Sequence, residues 1–272
     1  MTILELNGLT IESNEKVIVN NVHLQLERGQ WHSIIGESGS GKSVTAAAIG
    51  RMLPQSLKIK SGKILLEGRD MKDFCAEEMR CIRGHRISYI FQDYTSSFAP
   101  FLKIEKQCED MLKAHTKLTK RESKTLMLNT FQELNLPAES VLKKYPCQLS
   151  GGQLQRAAIA FVMMLGPSII IADEPTTALD SISAMTVLSL LKKFQQECGC
   201  SILFITHDLR HVKRYTNSIS IIKNGEIIEQ GYKSRILDSP QHEYTKHLFS
   251  AIPSLYETRE RLLLEERMKL VN

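Results

Sequence analysis

Residues 36–43, Gly-Glu-Ser-Gly-Ser-Gly-Lys-Ser, bring small residues, a lysine and a hydroxyl together in one short stretch. Their spacing fits G-x-x-x-x-G-K-[ST], in which glycines let backbone N–H groups turn inward toward phosphate oxygens. The helix predicted to start near Ser43 would add the positive end of its dipole. The candidate phosphate-binding residues are Gly36, Ser38, Gly39, Gly41, Lys42 and Ser43, with Lys42 reaching the β- and γ-phosphates and Ser43 ligating Mg²⁺. The alternative is an ordinary Gly/Ser turn between a strand and a helix.

Two acidic residues end the apolar run 169–172. Asp173, at the tip of this predicted strand, can hold Mg²⁺ directly or through water if the strand lies beside the phosphate loop. Glu174 is one residue further on and points in another direction, where it can orient and deprotonate a water molecule that attacks the γ-phosphate. The alternative is an acidic strand-to-loop turn without catalytic function.

Two more polar residues follow predicted buried strands. Gln92 comes after the strand at 87–91, where it can touch Mg²⁺ or the attacking water. His207 comes after the strand at 201–206, where it can contact the γ-phosphate. Either residue by itself could be a plain loop residue, but together with the phosphate loop and the acidic pair they predict a site that hydrolyses ATP.

Residues 149–153, Leu-Ser-Gly-Gly-Gln, open a predicted helix and form a second candidate anion cradle. The residues that would bind phosphate there are Ser150, Gly151, Gly152 and Gln153. One ATP does not need two cradles from the same subunit, so we expect a head-to-tail dimer in which each ATP lies between the phosphate loop of one chain and the 149–153 segment of the other. The alternative is an ordinary serine helix cap followed by glycines.

The hydrophobic pattern predicts the elements that carry these residues. Strands are predicted at 3–9, 17–26, 31–35, 58–66, 87–91, 168–173, 201–206, 218–223 and 226–230, and helices at 44–52, 76–83, 120–134, 153–164 and 181–197. Pro54 is expected to end the first helix. The run 168–173 lacks polar alternation, which is typical of a central parallel strand. Met185, Leu188, Leu191 and Phe194 recur at helical spacing and are predicted to lie in the core.

The segment between Gln92 and the second cradle differs from the rest of the chain. From about 93 to 148 strand patterns are replaced by charged amphipathic helices. We interpret this segment as an inserted helical lobe, because it falls between two nucleotide motifs. The alternative is a solvated helical surface of the same domain.

Composition excludes several other classes of protein. The 272 residues are 42% hydrophobic and 24% charged with a net charge of +5, which is ordinary for a globular protein and only weakly permits contact with nucleic acid or an anionic membrane. No run approaches the ~20 apolar residues of a membrane span, and the N-terminus lacks the basic region of a signal peptide. The six cysteines form no C-x-x-C pair, and Cys198-Gly-Cys200 is predicted to mark a helix end, so reduced thiols are expected.

Taken together, these motifs make the chain resemble an ATP-binding-cassette (ABC) ATPase over nearly its whole length. The resemblance implies an α/β P-loop core with an N-terminal antiparallel β subdomain and an inserted helical subdomain at about 93–165. It also implies that Gln92, Glu174 and His207 are catalytic, that ATP and Mg²⁺ are the cofactors, and that Ser43, Gln92 and Asp173 hold the metal. The D-loop of the family matches Ala178-Leu179-Asp180, which adds Asp180 to the nucleotide-binding residues.

A narrower likeness is to bacterial oligopeptide, dipeptide and nickel importers, through residues 36–43, 90–93, 239–246 and 251–253. It implies an ATPase domain at 1–233 and a helical tail at 234–272. Two departures from the family pattern stand out: the Gln–Asp pair at 92–93 is not followed by proline, and residues 13–18 lack the aromatic that often stacks on adenine. The peptide importers' cysteine-containing tail is also missing, which favours the shorter metal-uptake members.

The resemblance further implies partners and location. We expect a second ABC ATPase subunit, a copy or a paralogue, two transmembrane permease subunits and an extracytoplasmic substrate-binding protein, with no nucleic acid. The chain would lie peripherally on the cytoplasmic face of the membrane and drive uptake of a nickel- or cobalt-type metal chelate or of short peptides. The alternative is a soluble ABC ATPase that acts on nucleic acid or the ribosome, although the paired cassettes, coiled coils and zinc inserts of those proteins are not apparent here.

Overall fold

The computed structural model describes residues 1–14, 16–177 and 179–250. The strands are β1 (Thr2–Ser13), β2 (Val17–Glu27), β3 (Trp31–Ile35), β4 (Leu57–Leu66), β5 (Arg69–Asp70), β6 (Ile87–Ile90), β7 (Ile169–Asp173), β8 (Ser201–Ile205), β9 (Ser218–Lys223) and β10 (Glu226–Tyr232). The helices are α1 (Lys42–Ile49), α2 (Ala76–His85), α3 (Ile104–His115), α4 (Lys120–Glu133), α5 (Ala138–Leu142), α6 (Gly151–Met164), α7 (Ser181–Cys198), α8 (Leu209–Tyr215), α9 (Lys233–Asp238) and α10 (Glu243–Ser250). The predicted mixed α/β fold is confirmed.

The larger sheet has six strands in the order β10-β9-β3-β8-β7-β6. Its neighbours from β9 to β6 are all parallel, and β10 joins antiparallel to β9 through a hairpin. At the hairpin, Asn224 and Gly225 have φ of 50° and 84°, the left-handed pair of a type I′ turn. Strand β8 is buried throughout, as expected for a parallel strand covered on both faces.

The smaller sheet is antiparallel, with the order β2-β1-β4-β5. In β2, buried and exposed residues alternate from Val22 to Glu27, the pattern of a sheet with one solvated face. Its apolar face shares one core with helix α1 and with residues of β7 and β8. The N-terminal sheet therefore packs on the parallel sheet close to where the phosphate loop begins.

Between β6 and β7 the described chain forms α3 to α6 and short 3₁₀ turns, without strands. Buried residues of these helices, such as Ile104 and Phe131, belong to the same hydrophobic cluster as Trp31 of β3 and Ile170 of β7. Helices α4 and α6 each begin with a capping box, formed by Thr119 with Glu122 and by Ser150 with Gln153. The shared cluster thus packs the helical segment against one face of the parallel sheet.

Three local predictions were wrong. Helix α1 ends at Ile49 and not near Pro54, because Arg51 takes a left-handed φ of 52° and the N–H groups of Arg51 and Met52 close a Schellman motif on Ala48 and Ala47. Phe91 lies beyond β6 and is 43% exposed. Met185 is 40% exposed while Leu188 and Leu191 are fully buried, because the buried stripe of α7 runs through its neighbour Ala184, which is 3% exposed.

Cysteine chemistry follows the prediction. The six cysteines are free, Cys198 ends α7, and Gly199 caps that helix with a φ of 65°. Over the described residues, no helix is both long and apolar enough to cross a membrane. The tail residues 251–253 and Ala178 lie outside the described residues.

Candidate active site

The predicted catalytic residues lie at one edge of the parallel sheet. Strands β3, β8, β7 and β6 are adjacent and parallel, so their carboxyl ends meet at the same edge. The phosphate loop follows β3, Gln92 follows β6, Asp173 ends β7, and His207 follows β8. Ligands of such sheets bind outside the carboxyl ends of the strands. The topology thus assembles residues that are more than 170 positions apart in the sequence (36 and 207).

The loop at 36–43 curls around the Lys42 ammonium group. Lys42 Nζ donates hydrogen bonds to the carbonyl oxygens of Gly36 (2.9 Å) and Glu37 (2.6 Å), and the residue is only 5% exposed. Burial lowers the pKa of Lys42, while the charges of Glu174 and Asp173 act in the opposite direction. The ammonium is therefore held inside the loop and close to the carboxylates of Glu174 and Asp173.

Backbone packing explains two of the loop glycines. A Cβ on Gly36 would lie 2.1 Å from the carbonyl oxygen of Ile222, which no side chain tolerates. Gly41 has a φ of 100°, and its Cβ would lie 3.0 Å from the carbonyl oxygen of Ile18. The loop is thus pressed against β9 on one side and β2 on the other.

Asp173 has the properties expected of a magnesium ligand. Its Oδ1 is buried, and the described residues offer it no hydrogen-bond partner. Burial raises the pKa of Asp173, and the nearby Ser43 hydroxyl and Lys42 ammonium only partly offset this effect. A buried, unsatisfied carboxylate oxygen beside a hydroxyl matches the hard oxygen ligands that Mg²⁺ prefers. The described residues contain no cluster of three His, Cys, Asp or Glu side chains, so phosphate oxygens and water would complete the coordination.

Glu174 joins the other two predicted catalytic residues. Its Oε1 lies 3.1 Å from His207 Nδ1, and its Oε2 accepts a hydrogen bond of 3.3 Å from Gln92 Nε2. Glu174 has a φ of 45°, which is uncommon for a residue with a side chain. Its N–H donates to the carbonyl of Ile205 in β8, which fixes this backbone conformation. The carboxylate is therefore oriented by two partners from neighbouring strand ends.

The second cradle is not brought to the phosphate loop within one chain. Ser150 caps α6, with its Oγ accepting from the Gln153 N–H (3.3 Å) and its own N–H donating to Gln153 Oε1 (3.1 Å). Strand β6, against which α6 packs, lies three strand positions from β3, or ~14 Å at ordinary strand spacing. Between the two segments, both of which are described, no hydrogen bond forms. Gly151 and Gly152 open α6 beside Tyr94 and Leu179.

Asp180 has a local structural role in this chain. Its Oδ1 accepts hydrogen bonds of 3.0 Å from the N–H groups of Ile182 and Ser183, and its Oδ2 accepts from the Ser183 hydroxyl (2.6 Å). The hydrogen bonds from Ser183, followed by that from Ile182, lower the pKa of Asp180. Asp180 is thus the N-cap of α7, a role that its position before a helix pattern could have revealed.

One residue near the loop was missed by the sequence analysis. The hydroxyl of Tyr244 in α10 accepts a hydrogen bond of 3.2 Å from the N–H of Glu37. The two residues are 207 positions apart, and no spacing rule links them. The similarity of the tail to importer sequences marks this segment but does not predict its contact with the loop.

Comparison with known proteins finds similarity over most of the chain. A family model described as ABC transporter matches residues 19–177. The chain is 38% identical to the dipeptide transport ATP-binding protein of Lactococcus lactis over 96% of this chain and 75% of that protein. It is 36% identical to the ATP-binding protein of the metal-staphylopine import system of Staphylococcus aureus over 92% of this chain and 93% of that protein.

A solved structure leads to the same family. A dimeric ATP-binding cassette in a post-hydrolysis state, bound to ADP and Pi, superposes with a TM-score of 0.74 at 30% identity, covering 84% of this chain and 98% of that one. With the family model matching more than half of the sequence, the chain belongs to the ABC transporter family and is an ATP-binding-cassette ATPase.

Proposed function

We propose that the chain is the ATP-hydrolysing subunit of a bacterial ABC importer that takes up short peptides or metal chelates. The observation that carries this proposal is similarity to proteins named for dipeptide transport and metal-staphylopine import across more than nine-tenths of this chain. That span extends beyond the matched ATPase model at 19–177. The nickel and cobalt cargo favoured by the sequence is one case of the metal-chelate class.

Each residue of the site has a separate role in ATP hydrolysis. The N–H groups of the phosphate loop and the Lys42 ammonium bind the phosphates of ATP, which serves as the substrate. Asp173, Ser43 and Gln92 would hold Mg²⁺, which when bound would neutralise charge on the phosphate oxygens. Glu174 accepts the proton of the attacking water, and Gln92 and His207 keep its carboxylate aimed at that water. His207 is 61% exposed on its side chain, which leaves it accessible to the γ-phosphate.

A complete site needs a second ATPase subunit. The capped N-terminus of α6, with Ser150, Gly151, Gly152 and Gln153, completes the ATP site of the partner in a head-to-tail dimer, and Asp180 lies at the same interface. Support comes from the separation of this segment from the phosphate loop within one chain and from the dimeric cassette that the fold resembles. ATP binding would stabilise the closed dimer and hydrolysis would release it, which is a two-state cycle driven by differential affinity.

The domain division is part of the proposal. Residues 1–233 form the ATPase domain, residues of about 93–165 form its helical subdomain, and residues 234–272 form the tail. The strand-free segment between β6 and β7 supports the subdomain. Its exposed Phe101 and Leu102, 89% and 42% accessible, give the helical subdomain an apolar surface for a permease subunit. The whole complex would hold two permeases and receive cargo from an extracytoplasmic binding protein, with this chain attached peripherally to the cytoplasmic face of the membrane.

The test is a reconstitution. The chain and the products of neighbouring genes are inserted into liposomes, and phosphate release is measured with panels of short peptides and metal chelates. Stimulation at least several-fold by one cargo class, absent in a complex carrying Glu174→Gln, is the expected result and identifies the cargo. ATPase activity that is independent of membrane partners and cargo but rises with nucleic acid would overturn the importer proposal. It would favour a soluble ABC ATPase that acts on nucleic acid or the ribosome.

The same protein tests whether the dimer contains two copies. The Glu174→Gln chain is sedimented with and without ATP. ATP-dependent dimers of the single chain indicate a homodimer, whereas dimers that form only with a paralogous subunit indicate a heterodimer. A chain that stays monomeric with ATP and with every candidate paralogue would contradict the shared-site arrangement.

A further inference from the structure

The C-terminal helix of the described chain reaches the phosphate loop. Tyr244 lies in α10, and its Oη accepts the hydrogen bond from the Glu37 N–H described above. The carbonyl of Glu37 in turn accepts from Lys42 Nζ at 2.6 Å. One residue of the loop, Glu37, is therefore held on one side by the tail and on the other by the lysine that is expected to bind phosphate.

Two further contacts fix the ring of Tyr244. The ammonium of Lys223, at the end of β9, lies 4.5 Å from the ring centroid. Tyr244 also packs with Leu248 and Phe249 against a buried cluster that contains Ile35 and Ile221. Ile35 is the residue before the loop, so the tail packs on the strand end from which the loop starts.

A buried carboxylate anchors the start of α10. Glu229 of β10, which is 9% exposed, accepts hydrogen bonds from the N–H groups of Gln241 (2.9 Å) and His242 (3.1 Å). Burial acts to raise the pKa of Glu229, but the Thr245 side chain, these two hydrogen bonds and the charge of Arg235 together hold it below its ordinary value. A charged acceptor at a helix start is a strong anchor. The segment 241–250 is thus tied to the sheet at one end and to the loop at Tyr244.

We propose that Tyr244 is a positioning residue for the phosphate loop, and that the segment 241–250 is a strap that holds the Glu37 peptide in its nucleotide-binding conformation. This inference rests on the loop's proposed role in binding ATP and does not depend on the cargo. The hydroxyl contacts neither Glu174 nor its two partners. Its loss should therefore weaken ATP binding without slowing the chemical step.

The decisive variant is Tyr244→Phe, which removes the hydroxyl and keeps the ring against Lys223. Loss of a hydrogen bond of ordinary strength predicts an increase of about three- to ten-fold in the Kd and KM for ATP. The kcat should stay within about two-fold of wild type. The matched control is Tyr232→Phe, whose side chain is 68% exposed and lies at the end of β10. Hydrogen exchange at the Glu37 amide, followed by mass spectrometry, should accelerate in Tyr244→Phe only.

A second variant tests the anchor. Glu229→Gln should loosen the start of α10 and raise the KM for ATP in the same direction, with kcat again preserved. Wild-type affinity for ATP in Tyr244→Phe, or a fall in kcat as large as the rise in KM, would overturn the inference. If the wild-type chain itself does not bind ATP, the proposed nucleotide site fails and the strap fails with it. The wild-type measurement therefore separates the two failures.

Discussion

Replacing Glu174 by glutamine tests the assignment of the catalytic base most directly. Glutamine keeps the length and shape of the side chain but cannot accept a proton at neutral pH. Its oxygen can still accept from His207, and Gln92 can rotate its amide to present oxygen to the new amide nitrogen. The variant should therefore keep the fold and the local arrangement while losing the base.

The expected loss in turnover follows from the role of the group. General base catalysis by a positioned side chain contributes about 10²- to 10⁴-fold, which corresponds to roughly 3 to 5.5 kcal/mol in activation free energy. ATP affinity should not fall, because Glu174 is a negative charge near Lys42 and its removal reduces repulsion of the phosphates. We expect kcat to drop at least a hundred-fold with an unchanged or lower Kd for ATP.

The assay combines two measurements on the same preparation. Phosphate release gives kcat, and binding of a fluorescent ATP analogue gives Kd. The control is Glu197→Gln on α7, a 59% exposed side chain paired with exposed Lys193, where such a pair contributes only about 0–1 kcal/mol. Turnover in Glu174→Gln within two-fold of wild type would refute the base assignment. A large loss of ATP binding would instead show that Glu174 has a structural role.

Three other predictions concern affinity, acid stability and the loop backbone. Val17→Tyr should tighten ATP binding about five-fold in equilibrium titration, because a stacked aromatic ring contributes ~1 kcal/mol. Position 17 is next to Ile18, whose carbonyl oxygen approaches the phosphate loop. Unchanged affinity for ATP would contradict this prediction. His32 is buried between Ser218 and Ser220, and burial lowers its pKa to about 4 from 6.5. Wild type should therefore lose about 3 kcal/mol of unfolding free energy relative to His32→Gln as the pH falls from above 6.5 to below 4. Equal dependence of the two unfolding free energies on pH in urea titrations would contradict this prediction. Gly36→Ala should destabilise the chain by about 3 kcal/mol or more in the same assay. A Cβ at Gly39 meets open space, but the residue has a φ of 78°, so Gly39→Ala should destabilise the chain by about 1–2 kcal/mol. The reverse order of the two effects would contradict the packing argument.

The sign of the His32 effect follows from its neutral buried state. Both ring nitrogens contact serine hydroxyls, Nδ1 with Ser218 at 2.6 Å and Nε2 with Ser220 at 2.9 Å, which suits a neutral imidazole. The unfolded chain binds a proton at a higher pH than the folded chain, so the stabilising contribution is complete above the unfolded pKa and is lost as the pH falls through the folded pKa. The serine partners could not be predicted from the sequence, because the three residues come from two strands that are paired only in the fold.

The parallel core was predictable because its chemistry is local and repetitive. The apolar run before Asp173 marks a strand covered on both faces, and parallel strands place the residues after them at one edge. The grouping of the phosphate loop with Asp173 and Glu174 follows from this rule alone. What the rule does not supply is the direction of each side chain, such as the left-handed backbone that turns Glu174 toward His207.

The errors and the missed contact have a common physical origin. Met185 lies at helical spacing from Leu188, but the buried stripe of α7 runs through Ala184 instead, and tertiary packing decides which of the two residues faces the core. Tyr244 lies in a tail whose local pattern predicts only a helix, and its contact with Glu37 exists because β9 and β10 return the chain to the edge of β3. Local sequence therefore predicts which elements form, whereas the strand order decides which distant residue completes the loop. That distinction makes Tyr244, and not another loop residue, the position at which the tail and the ATP site should be energetically coupled.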